Sequence, residues 1–89
     1  MIKFTKHARE KFKILELHRV YISRKQIINA VQKPELIDYS RSPLLIVQRK
    51  LDRNHVLRVV YKEEDGDKVV ITFYPGRIKQ YEKRSKAKN

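Results

Sequence analysis

His7 is the residue of this 89-residue chain best placed to do chemistry. It follows Thr5-Lys6 and precedes the small Ala8, where a helix would open. Histidine exchanges a proton near neutral pH, so His7 is a candidate general acid or base. The plainer reading is a partly exposed histidine packed at a sheet edge. Arg58 sits within Val56-Leu57-Arg58-Val59-Val60. Alternation separates it from Leu57 and Val59 and gives it a face shared with hydroxyl side chains. An arginine there can clamp a phosphate with a two-pronged hydrogen bond, or it can pair across strands with a carboxylate. Arg49 has the same two readings, whereas Lys50 reads as a solvated cation. Tyr74 and Tyr81 flank the start of a cationic segment, and rings among cations suit stacking on unpaired bases. Arg77, Lys83 and Arg84 supply the charge around them. Alternatively Tyr74 ends a strand and Tyr81 anchors a helical turn.

The charge distribution asks for a polyanion. The chain carries 22 Lys and Arg against 10 Asp and Glu, a net +12. Residues 1–33 hold nine cations and two Glu, residues 34–75 seven of each sign, and residues 76–89 six cations and one Glu. The excess lies at the two ends. Such asymmetry points to nucleic acid; a merely basic small protein is the alternative. Other chemistries fall away. With no cysteine there is no disulfide, thiolate metal site or cysteine nucleophile. Gly66 and Gly76 alone cannot build a phosphate loop or a dinucleotide fingerprint. His7, His18 and His55 lack metal-ligand spacing. No carboxylate pair stands in apolar surroundings. No apolar run reaches the roughly 20 residues of a membrane span, and Met1 to Lys6 has no apolar leader. The expectation is a cytoplasmic protein without metal, small-molecule cofactor or membrane contact.

These residues need elements to position them. Ile2-Lys3-Phe4 is a candidate edge strand. Thr5 reads as the N-cap of a first helix, with Ala8, Phe12 and Leu15 on one stripe. Ser23-Arg24-Lys25-Gln26 is a capping box for a second helix, which Pro34 stops. The period then changes from 3.6 to 2, over Glu35–Ser40, Leu44–Leu51, His55–Glu63 and Lys68–Tyr74. Asp65-Gly66 predicts a type I′ hairpin turn, and Asp52-Arg53-Asn54 a weaker turn. Val69, Ile71 and Phe73 form the apolar set expected beneath the helices, with Val70, Thr72 and Tyr74 facing away beside Arg58. The expected fold is α+β, with two N-terminal helices on one face of a four-stranded antiparallel sheet. Residues 1–83 would form the domain, with a short helical turn over 77–83 that packs Ile78 and Tyr81 inward. Residues 84–89 would be a disordered basic tail.

Several of these short motifs resemble a small bacterial and archaeal family placed within the RelE/ParE toxin superfamily. They are Thr5-Lys6-His7-Ala8, Ile22-Ser23 with Gln26-Ile27, Ala30-Val31 and Pro34-Glu35, Leu57-Arg58-Val59-Val60-Tyr61, and Val70-Ile71-Thr72-Phe73-Tyr74-Pro75. The likeness runs from about Lys3 to Pro75. It departs at Lys11, where the family pattern has an arginine, and in the longer linker Leu17 to Tyr21. The resemblance implies two helices packed on an antiparallel sheet and a partner antitoxin. RelE-like members cut messenger RNA, typically on the ribosome; ParE-like members act on DNA gyrase. For a ribonuclease, His7 would be acid or base, Arg58 the phosphate clamp and Lys11 a supporting charge. Arg49, Tyr74, Arg77, Tyr81, Lys83 and Arg84 would hold RNA. A non-catalytic RNA or DNA module and a toxin with a protein target are the other two readings.

Overall fold

The computed structural model describes residues 1–79. In chain order the elements are β1 (Ile2–Phe4), α1 (Lys6–Leu17), α2 (Arg24–Gln32), β2 (Leu36–Asp38), β3 (Leu45–Lys50), β4 (His55–Glu64) and β5 (Asp67–Arg77). The sheet runs β1-β5-β4-β3-β2. Neighbours from β2 to β5 are antiparallel, but β1 lies parallel to β5, with Phe4 opposite Val70. The fold is therefore α+β with a five-stranded mixed sheet, which corrects the expected four-stranded antiparallel one. Ile2-Lys3-Phe4 is that fifth strand. Its partner is 66 residues away in sequence, and alternation over three residues carries no information on partner or direction.

Local chemistry explains the helix boundaries. The Thr5 hydroxyl accepts from Ala8 N at 3.1 Å and caps α1. Ser23 accepts from Gln26 N at 3.1 Å while Gln26 Oε1 accepts from Ser23 N at 2.8 Å, completing the capping box. At the end of α1, Arg19 takes φ 59°. Arg19 N donates to Glu16 O and Val20 N to Leu15 O, a Schellman closure whose left-handed position usually belongs to glycine. The hairpin turn is type I′: Asp65 has φ 51° and Gly66 φ 82°.

One core joins helices and sheet. Ala8, Ile27, Ala30 and Val31 pack with Val47, Leu57, Val59, Val70 and Phe73. Phe12 stacks tilted on Phe73 at 4.7 Å between centroids, and Arg24 of α2 lies over the Phe4 and Phe12 rings. The parity of β5 differs from expectation. Val60 pairs with Thr72 and Tyr61 with Val70, so Ile71 is an extra, bulged residue. Val70 is thereby turned into the core with Phe73, whereas Val69 falls opposite Lys62 on the other face. The run Val69-Val70-Ile71-Thr72-Phe73 has apolar residues in both parities, and only pairing with β4 reveals the bulge. The bulge also seats α1. Thr5 N donates to Val70 O at 3.0 Å, and the Thr5 hydroxyl donates to Ile71 O at 3.3 Å.

Candidate nucleic-acid interface

The residues expected to act together lie apart. Arg58 is opposite Gln48 and Tyr74, on the face away from the core of Leu57 and Val59. It is only 3 % exposed. Its Nη1 donates to Gln48 Oε1 at 2.6 Å, its Nη2 to Asp38 Oδ2 at 3.3 Å, and its Nε lies 3.4 Å from the Tyr74 hydroxyl. A guanidinium so held and covered is a structural ion, not an open phosphate clamp. Asp38 is held below the usual carboxylate range, first by its hydrogen bonds from Ser40 and then by Arg58. His7 is exposed on α1. Lys11 follows one turn later on the same side of the helix, so these two are neighbours. The neighbouring Ala8 packs against the core face of the sheet, and the sheet separates that layer from the Arg58 side chain. Arg49 is also engaged: its Nη1 donates to Lys33 O at 2.7 Å, closing the C-terminal end of α2. Tyr81, Lys83 and Arg84 lie outside the described residues, as do most of the expected 77–83 turn and the 84–89 tail.

Arg77 does reach a recognisable site, at the end of the sheet where β4 begins and β5 ends. His55 and Arg77 are directly opposite in register, so their side chains leave the same face as neighbours. The preceding turn fixes the histidine. Asp52 Oδ1 accepts from Asn54 N at 2.8 Å and His55 N at 2.9 Å, an Asx-type turn. The same carboxylate lies 2.9 Å from His55 Nδ1. These bonds hold the Asp52 carboxyl below its ordinary range, with the Asn54 amide the first cause and the His55 ring the second. With Nδ1 turned to Asp52, Nε2 is the ring nitrogen left for a ligand. Ile78 N donates to Asn54 O at 2.9 Å, tying the end of β5 to this turn.

Two cavities share His55. One, about 530 Å³, is lined by Arg53, Asn54, His55, Arg77, Ile78 and Lys79. Among the described residues it carries three cations and no carboxylate. The second, about 390 Å³, lies against the linker between the helices and includes Tyr21, Asp52 and Pro75. Among the described residues, no group of three or more His, Cys, Asp or Glu could hold a metal ion, and no helix is long and apolar enough to cross a membrane. Asp52 and His55 were absent from the sequence-predicted site. The legible signal was an aspartate three residues before a histidine, spanning a turn into a strand.

The model of a family described as a domain of unknown function, DUF4258, matches residues 4–75. The chain belongs to this family. No curated protein and no solved structure matches the chain. The DUF4258 match takes in α1, α2, the Asp52–His55 turn and β5 as far as Pro75; Arg77 and Lys79 of the cationic cavity lie beyond it.

Proposed function

We propose that this chain is a metal-independent endoribonuclease acting on messenger RNA in the cytoplasm, working as the toxin of a toxin–antitoxin pair. The observation that supports it is a carboxylate-oriented histidine opening on a groove with three cations. In the reaction, His55 Nε2 takes the proton of a ribose 2′-hydroxyl. The 2′-oxygen attacks phosphorus, and the bond from phosphorus to the 5′-oxygen breaks. Arg53, Arg77 and Lys79 stabilise the doubly charged phosphorane. The 5′-oxygen takes a proton from water in the open groove, and His55 returns its own to solvent. The products are a 2′,3′-cyclic phosphate and a 5′-hydroxyl. Asp52 holds the ring's tautomer and stabilises the imidazolium that forms, the part a carboxylate plays beside a histidine base. The net charge of +12 and the likeness of several motifs to RelE/ParE toxins support an RNA target and an antitoxin covering the basic surface.

The test compares His55→Ala with His7→Ala on total mRNA, mapping new 5′ ends after induction and cleavage in vitro. His55→Ala should lower the cleavage rate about 10²–10⁴-fold, the usual worth of a general base, with RNA binding retained. His7→Ala should cleave normally. The reverse result would move the site to α1. Binding without cleavage by the wild type would make the chain a binding module, and growth arrest with intact mRNA would point to a protein target.

A further inference from the structure

The two cavities that meet at His55 differ in charge, and that difference divides the labour between them. Among the described residues, the charged side chains of the first groove, Arg53, Arg77 and Lys79, are all cations. The other cavity sets one cation, Arg19, against one anion, Asp52, and between them it offers the apolar side chains of Val20, Leu51 and Pro75. A phosphate belongs in the first; a neutral planar group fits the second. Tyr21 stands at that second cavity with 71 % of its surface exposed. Tyr39 is comparably open at 64 %, but of the two only Tyr21 lines one of these cavities. Its exposure is built in. Val20 packs against the core and Ile22 is buried, so extended alternation turns Tyr21 outward. Val20 N is anchored on Leu15 O and Ser23 caps α2, which holds the segment at both ends.

We propose that this cavity is a nucleobase subsite, in which a base stacks on Tyr21 while the phosphate next to it occupies the cationic groove. The inference rests on the preceding reading of the groove and deepens it. It makes the substrate single-stranded RNA, because a base can enter the cavity only when unpaired and unstacked. It also places the cleaved phosphate on the His55 boundary between the two subsites. The longer linker, Leu17 to Tyr21, becomes the element that selects the strand state of the substrate.

The test uses the full chain with three probes: a single-stranded oligoribonucleotide, the same strand in a duplex, and inorganic polyphosphate, which has phosphates but no bases. Tyr21→Ala should weaken binding of the single strand about ten-fold, within the range for losing one stacked base, and leave polyphosphate binding unchanged. Tyr21→Phe should restore the single strand. Arg77→Ala should weaken both single strand and polyphosphate. Equal single-strand affinity in Tyr21→Ala and wild type, with Arg77→Ala still weakened, would overturn the base subsite and leave the phosphate groove standing. Wild-type binding of duplex equal to single strand would also overturn the subsite. Failure of the wild type to bind either single strand or polyphosphate would overturn groove and subsite together.

Discussion

Arg58 offers the sharpest separation of a structural role from a chemical one. Its side chain is 4 % exposed, whereas the Asp38 side chain it faces is 22 % exposed. The two ends of the contact therefore respond differently to deletion. Asp38→Ala removes a carboxylate from a covered cation. A hydrogen bond to a charged group is worth about 1.5–3 kcal/mol; the Nη2–Oδ2 separation of 3.3 Å and partial solvation argue for the low end. Asp38 Oδ1 also accepts from Ser40 N at 2.9 Å, which adds a neutral-donor bond. The sum is about 2 kcal/mol, or a Tm lower by roughly 8–16 °C in a domain of this size. Arg58→Met keeps an apolar stem in the buried position and leaves Asp38 to Ser40 and water. It should cost less, about 1 kcal/mol, because a buried ion is often replaced by an apolar side chain at little loss. In the double variant the costs should fall short of additive, since the residues touch. Linkage gives a second readout. The Asp38 carboxyl is lowered on folding, so its contribution is present above the ordinary carboxylate value, near 3.9. It is lost as pH falls through the lowered native value. The assay is urea and thermal unfolding of the three variants across pH, beside RNA cleavage. An Asp38→Ala protein as stable as wild type would refute the structural account. An Arg58→Met protein that is fully stable yet inactive on RNA would return Arg58 to the role the sequence suggested.

The remaining predictions are simpler. Arg19→Gly should stabilise the domain by about 1 kcal/mol, hence roughly 4–8 °C in Tm, because φ 59° strains any side chain but costs glycine nothing; a lower Tm would refute the strain argument. Lys3 Nζ lies 2.9 Å from Asp67 Oδ2 and is the first cause holding the Asp67 carboxyl below its usual range. Stability from this pair is present above the ordinary carboxylate value and is lost as pH falls through the lowered one. Asp67→Asn should flatten that acid limb, and a Tm profile between pH 2 and 6 that matched wild type would reject it.

Much of the local structure was legible because short-range chemistry dictates it. Thr5 and Ser23 cap as their hydroxyls require, and Asp65-Gly66 turns as its backbone freedom requires. Non-local pairing was harder. β1 joins the sheet through residues 68–70, and a bulge at Ile71 reverses which valine is buried; neither leaves a mark in so short a strand or in a run with valines at both parities. The site was hidden for a related reason. His7 drew notice from its place at a helix start, whereas the importance of His55 depends on Asp52 across a turn and Arg77 across a strand pair. Arg58 looked like a ligand-binding cation because Asp38 and Gln48, which occupy it, come from two other strands.

The same comparison decides how the net charge should be used. Counting cations pointed to both ends of the chain, yet the fold commits cations of the first segment and of the middle to internal partners. Lys3 pairs with Asp67, Arg24 covers two phenyl rings, Lys68 sits over Tyr61, Arg49 closes α2 and Arg58 faces Asp38. Each of these would lose an internal partner on turning to a phosphate, and that loss offsets the gain. Arg53, Arg77 and Lys79 form no ion pair among the described residues, and they converge where β4 begins and β5 ends. A polyanion binds where cations are uncommitted and close together, because there it releases counterions without breaking contacts inside the protein. That end of the sheet meets this condition, and it also holds the histidine whose free nitrogen a carboxylate has fixed.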